Sequence, residues 1–215
     1  MSLQSFFEST TGQIVSVAAI ILLFIGILFS GRGRKTDTRV LVISALLVAL
    51  AVVLKQIRLF QMPQGGDVSV FGMLPIALCA YFFGVRRGIM AGMCVGIIDL
   101  IFSPYVIQPV QLLLDYPLAF GAIGFAGLLR NRKFGLVTGY LLGVFGRYIC
   151  SVLSGIIFFG SYAPEGFNAV TWSLWYNFAY LAAEAAITVI LLSVPPFKRA
   201  LMRLKDQATQ DLTSR

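Results

Sequence analysis

The sequence predicts an all-α integral membrane protein. Three observations carry that expectation: charge is scarce, apolar segments of spanning length recur, and basic residues gather in alternate connections. Of 215 residues, 58% are hydrophobic and only 12% charged, about half the roughly 25% of a soluble domain. The mean hydropathy is +0.87. So little charge cannot clothe a water-facing surface, and lipid is the solvent these side chains imply.

A spanning helix needs about 20 mostly apolar residues to cross roughly 30 Å of hydrocarbon. Seven candidate spans follow one another: 13–30, 40–54, 68–83, 88–102, 110–129, 134–159 and 172–194. The net charge of +8 would suggest nucleic acid in a soluble protein, but its distribution argues for a membrane and against nucleic acid. Arg32, Arg34, Lys35 and Arg39 separate spans one and two, Arg86 and Arg87 separate three and four, and Arg130, Arg132 and Lys133 separate five and six. Lys198, Arg199, Arg203, Lys205 and Arg215 follow the last span. These alternate connections hold 14 of the 17 basic residues, leaving Lys55, Arg58 and Arg147. The positive-inside bias therefore puts the N-terminus outside and the C-terminus in the cytoplasm. Span one carries Glu8 before it and its basic cluster after it, the reverse of a secretory signal, and is expected to be a retained anchor.

The chain divides into an anchor helix and basic loop (1–37), a membrane domain (38–197) and a basic tail (198–215), where 201–207 is expected to lie as a helix on anionic lipid. Gly84, Gly88, Gly92 and Gly96 share a helix face, as do Gly135, Gly139 and Gly143; packing within one bundle is the favoured role. Ala45 and Ala49 make a similar face on span two, suited to packing or docking. Cys79, Cys94 and Cys150 lie in apolar spans without metal-ligand spacing, and His is absent.

Three outer connections carry polar and aromatic content and point to a binding mouth. Gln61–Asp67 contains two adjacent glycines, which permit a tight turn or a mobile lid. The others are 103–109 and 160–168. Four ionisable groups fall inside spans, Asp99, Asp115, Arg147 and Glu184, and each should face a partner or a wet cavity. Asp115, with Gln111 one turn before it, is suited to neutralise a cationic ligand, or else to pair with Arg147 or cap backbone. Arg147 and Glu184 are expected to pair across helices, and Asp99 to cap or hydrogen-bond locally. Trp172, Trp175, Tyr176 and Asn177 combine flat rings with an amide, and with one carboxylate would suit a small cationic heterocycle. The chain has no P-loop and, lacking His, no HExxH zinc motif. The contexts of Asp99 and Asp115 do not match intramembrane aspartyl proteases, and an enzyme is not expected.

Several motifs in order resemble the thiamine-specific substrate-binding (S) components of energy-coupling factor (ECF) transporters. They are Met62-Pro-Gln-Gly-Gly66, Pro109-Val-Gln-Leu-Leu-Leu-Asp-Tyr-Pro-Leu-Ala-Phe120, Arg147-Tyr-Ile-Cys-Ser-Val-Leu-Ser-Gly155, Tyr162-Ala-Pro-Glu-Gly-Phe-Asn168 and Ser173-Leu-Trp-Tyr-Asn177. The resemblance covers about 40–197. It implies a six-helix bundle in a bacterial cell membrane, plus one extra N-terminal helix without counterpart in the family. One vitamin would bind near the outer face beneath a lid formed by Pro63, Gln64, Gly65 and Gly66. The chain would hold no cofactor; a transmembrane coupling protein and two ABC-type ATPases, docking at Ala45 and Ala49, would supply ATP hydrolysis. Carried over by position, the ligand would meet Asp115, Tyr116, Asn177, Tyr105, Trp172, Phe159 and Tyr176. Trp172 and Phe159 stand where the family has Tyr and Trp, and stacking survives both exchanges. The family's Arg-x-x-x-His pattern would place a His where this chain has Ser151, a shorter side chain that holds no charge. A thiamine precursor or another heterocyclic vitamin is therefore the alternative cargo, and a membrane scaffold or sensor the alternative class.

Overall fold

The computed structural model describes residues 9–29 and 37–209. The basic loop residues Arg32, Arg34 and Lys35, the anchor's Ser30 and the tail's Arg215 lie outside the described residues, as do Met1–Glu8. In chain order the elements are α1 (Thr10–Phe29), α2 (Thr38–Gln56), β1 (Arg58–Gln61), β2 (Asp67–Ser69), α3 (Leu74–Phe83) and α4 (Val85–Phe102). They continue with α5 (Pro109–Leu129), α6 (Gly135–Phe158), α7 (Ala169–Ser193) and α8 (Pro195–Thr209). α2 to α7 form the six-helix bundle, and α1 rests against the first turn of α5. By length and composition α2, α5, α6 and α7 can each cross a membrane. α4 has the length, at 18 residues, but carries Arg86, Arg87 and Asp99.

The expected third span, 68–83, is not one helix. Asp67–Ser69 is a strand paired antiparallel with β1, Phe71 takes a positive φ of 60°, and only Leu74–Phe83 is helical. Ten residues rise about 15 Å, half the hydrocarbon thickness. The short helix survives because it is sheathed: all ten of its residues are buried, whereas α2 exposes Leu41, Leu46 and Val53.

A helix starting inside the bundle exposes unpaired backbone N–H groups that water cannot reach. Glu184, 3% exposed on α7, supplies the acceptors. Its Oε1 accepts from the Met73 N–H at 3.1 Å, and its Oε2 accepts from the Ser69 N–H at 3.1 Å and the Ser69 hydroxyl at 2.8 Å. This corrects the expected pairing of Glu184 with Arg147. A carboxylate near a helix N-terminus is also favoured by the helix dipole. Arg147 instead centres its guanidinium 3.9 Å over the Phe120 ring.

The two glycine faces close on α5 from opposite sides. Gly88, Gly92 and Gly96 of α4 lie against Gly124, Phe120 and Tyr116 of α5. Gly139 and Gly143 of α6 lie against Ala126 and Ile123, where an added Cβ would sit 2.5 Å from each carbonyl oxygen. Packing inside the bundle is thus what these glycines do. Near its start α5 widens into a π-helical turn, Leu114–Leu118, around Pro117, which has no N–H to give.

The described basic stretches at 86–87 and 130–133 share one end of the bundle with α8. There Lys205 lies 4.1 Å over the Tyr81 ring and donates to the Arg130 carbonyl, and Leu201 is buried. The tail is helical as expected, over a longer stretch. The hairpin and the connections 103–108 and 159–168 occupy the opposite end.

Candidate functional site

At the hairpin end the helices enclose a cavity of about 720 Å³, within the roughly 300–1,000 Å³ usual for small-molecule sites. Asp115, Tyr116, Asn177, Tyr105, Trp172, Phe159, Ser151 and Tyr176 all line it, with Gln64, Gly65 and Gly66 of the loop above. The structure therefore gathers residues spread over more than a hundred positions around one space. Trp175 is the exception among the rings: it is 54% exposed and stacks on the outer side of Trp172.

Asp115 sits in the widened turn of α5. Its Oδ2 accepts 2.6 Å from Gln111 Nε2, and among the described residues it forms no ion pair. The alternative of a lock to Arg147 is not what the geometry gives. Gln111 does more than hold Asp115. Its Nε2 also donates to the Tyr105 carbonyl and its Oε1 accepts from the Ile107 N–H, both at 3.1 Å, so one amide ties the 103–108 connection to the carboxylate.

Tyr116 and Tyr176 line the cavity with their rings, but their hydroxyls are engaged with backbone. Tyr116 Oη accepts from the Tyr105 N–H at 2.9 Å and donates to the Ser103 carbonyl at 2.8 Å. Tyr176 Oη accepts from the Gly66 N–H at 2.9 Å and donates to the Pro63 carbonyl. The second pair latches the loop over the cavity. Gln64 and Gly65 take positive φ of 60° and 88° in this turn, and a Cβ on Gly66 would meet Tyr176 Oη at 2.6 Å.

Asn177 is held in place on all sides. Its Nδ2 donates to the carbonyls of Ser173 (2.9 Å) and Ser151 (3.3 Å), and its Oδ1 accepts 3.0 Å from the Tyr180 hydroxyl. The amide oxygen keeps a second lone pair, so it can still accept from a ligand donor. Two ring pairs line the cavity: Tyr105 stacked on Phe159 with ring centres 5.9 Å apart, and Trp172 tilted by 47° against Tyr176 at 5.7 Å. Burial, then Tyr162 beside it, raises the Tyr105 hydroxyl above its ordinary value, so its ring stays neutral.

Sequence reasoning missed the ion cluster at the root of the hairpin. Asp67 receives Lys55 Nζ, and Arg58 Nε lies 3.3 Å from its other oxygen, while Arg58 Nη2 donates to Ser103 Oγ. This joins the end of α2 to the hairpin and the 103–108 connection. A signal existed: Lys55 and Arg58 break the positive-inside pattern, and a basic residue out of place in a membrane protein calls for an acid nearby. Asp99, expected to bond locally, lines the cavity with its Oδ1 unpartnered. No group of residues that could hold a metal ion occurs among the described residues.

Fold and site together define a substrate-binding membrane bundle: a closed helical body, open to one small ligand at one end beneath a latched loop. The family model described as thiamine transporter protein matches residues 41–204, and the chain belongs to that family, in line with the resemblance of its motifs. It is 37% identical over 164 residues to the thiamine transporter ThiT of Bacillus subtilis, covering 69% of this chain and 85% of that one. It is 30% identical over 141 residues to ThiT of Lacticaseibacillus paracasei, covering 58% and 70%. A solved structure of ThiT from Listeria monocytogenes matches with a TM-score of 0.61 at 27% identity, covering 73% of this chain and 94% of that one. The chain is accordingly a cell-membrane transport protein, and its family is one of transporters rather than enzymes.

Proposed function

We propose that this chain is the thiamine-capturing S component of an ECF-type uptake system. The cavity carries the proposal: Asp115, an acid with no ion pair among the described residues, shares one cavity with two aromatic pairs under a loop latched by Tyr176. A thiazolium cation supplies the missing charge, and the rings of Trp172, Tyr176, Tyr105 and Phe159 supply stacking faces for a flat heterocycle. The N-terminus faces outward and the C-terminus inward, so the cavity opens outside.

The chain has no P-loop of its own, and ATP hydrolysis comes from two ABC-type ATPases through a transmembrane coupling protein. α2 is the docking helix. It is the most exposed of the four long apolar helices, and Ala45 and Ala49 both lie on its uncovered side. Small residues there let a partner helix approach closely.

Titrating the purified protein with thiamine while following Trp fluorescence tests the proposal. The expected result is saturable 1:1 quenching, since Trp172 lines the cavity; absence of saturable binding, the outcome for a scaffold or sensor, would overturn it. Ser151, short and uncharged, favours a second cargo, a hydroxymethylpyrimidine-type precursor. Competition between the two compounds ranks them.

A further inference from the structure

At the basic end of the bundle, far from the cavity, positive charge outruns negative. Arg86 and Arg130 both act on Arg87, and Arg130 acts on Lys205. Two described acids stand among them. Asp37 caps α2 by accepting from the Arg39 N–H at 2.9 Å, and Asp206 lies beside Lys205.

Within that surplus two ammonium groups converge. Lys133, from the connection before α6, and Lys198, from the first turn of α8, each hold Nζ 5.8 Å from the centre of one ring, that of Phe134. Neither lysine forms an ion pair among the described residues. An exposed ring attracts a cation only weakly, and like charges drawn to the same ring repel each other. One anion set between the two ammoniums removes the repulsion and pairs both.

The surroundings decide what kind of anion fits. Phe134 is 62% exposed and stands at the start of α6. Leu141, Phe145 and Ile149 are exposed as well and, at steps of seven and four residues, share its helix face. The lysines thus sit at the foot of an apolar stripe running into the bilayer. A dissolved ion would use the lysines alone, whereas a molecule with an anionic head and a hydrocarbon tail uses lysines and stripe together. The stretch 201–207, expected to lie on lipid, instead turns Leu201 into the bundle and Lys205 onto Tyr81. The first turn of α8 is left to meet the membrane.

We propose that Lys133 and Lys198 hold the phosphate of one anionic phospholipid, whose acyl chain runs past Phe134 along Leu141 and Phe145. This holds whichever vitamin the cavity takes, because the lipid binds at the opposite end of the bundle.

Native mass spectrometry of the purified full chain in detergent, titrated with dioleoylphosphatidylglycerol or dioleoylphosphatidylcholine, tests it. The expected result is one phosphatidylglycerol adduct at concentrations where phosphatidylcholine, whose choline cancels the phosphate charge, leaves little. Lys133→Gln and Lys198→Gln should each raise the concentration for half-occupancy about fivefold, the worth of one basic residue at an anionic surface. Arg203→Gln, an equal loss of charge farther along α8, should leave it unchanged, and Lys198→Arg should bind as the wild type does. Equal binding of the two lipids overturns the proposal. So does a loss in Arg203→Gln as large as in the lysine variants, which marks diffuse surface attraction, or a loss in Lys198→Arg equal to that in Lys198→Gln. Glycerol 3-phosphate, the head without the chains, should not displace the adduct at equal concentration; displacement would mean an anion site without a lipid.

Discussion

The two ends of α5 are built by different means. Toward the basic end, from Phe120 to Leu129, glycines of α4 and α6 bring backbone against backbone on both sides, and almost no side chain intervenes. Toward the hairpin end, from Gln111 to Tyr116, the helix loosens into a π turn and polar side chains take over the contacts. The first region gives the helix its position; the second gives the cavity its polar lining. The difference teaches that the site is cantilevered from a rigid seam. A change in the seam should therefore alter fold and binding together, while a change at the free end should alter binding alone.

Gly92→Leu attacks the middle of the seam, where an added Cβ would fall within van der Waals contact of the Phe120 carbonyl. Backbone cannot rotate aside as a side chain does, so the cost is about 3 kcal/mol or more. Size-exclusion profiles and thermal unfolding in detergent should show loss of the monodisperse protein, and with it all ligand binding. A well-behaved variant with intact binding would mean that seam and site are not coupled. Asp115→Asn is the counterpart at the free end. It keeps the hydrogen bond to Gln111 within reach but removes the charge, and thiamine affinity should fall by roughly 2–5 kcal/mol. The unfolding temperature of the unliganded protein should barely move; a large drop would assign Asp115 to structure instead.

How much of this was legible in the sequence differs between the same two regions. The glycine periods and the order of spans were plain, because spacing by four and apolar length are properties of the chain alone. The half-length of α3 was not: Val68, Val70 and Phe71 are as apolar as the helix that follows, and periodicity cannot tell a short buried strand from a helical start. Pro75, in the first turn of α3, was the available sign that the helix begins late. At the site, the ring and carboxylate positions could be carried over from motifs. The roles of the hydroxyls of Tyr116 and Tyr176 could not, since both bond to backbone of remote loops, and nothing in a side chain's identity names a backbone partner. Glu184 failed to be understood for the same reason. An acid and a base in neighbouring spans invite pairing, but the acid's real partners are N–H groups that every residue possesses.

Glu184→Gln probes that capping role and sits between the two regions in expected effect. The amide keeps one acceptor oxygen and turns the other into a donor facing N–H groups. Stability should drop by about 1–3 kcal/mol, the cost of leaving a buried donor unpaired. Hydrogen exchange should rise at Ser69 and Met73 before it rises in α6. Uniform exchange across the bundle would place Glu184 in the seam rather than at the hairpin.

The smallest effect is expected at the latch. Tyr176→Phe keeps the ring that faces Trp172 and removes only the oxygen shared by the Gly66 N–H and the Pro63 carbonyl. Each of the two hydrogen bonds lost is worth about 1 kcal/mol net, so together they amount to roughly 5- to 30-fold in a rate. On the proposed reading, in which the latched loop serves as a lid, the loss should appear as faster thiamine release in stopped-flow fluorescence, with the association rate nearly unchanged. If association slows and release does not, Tyr176 shapes the open cavity instead of fastening its lid. The latch would then belong with Asp115 among the groups that recognise the ligand.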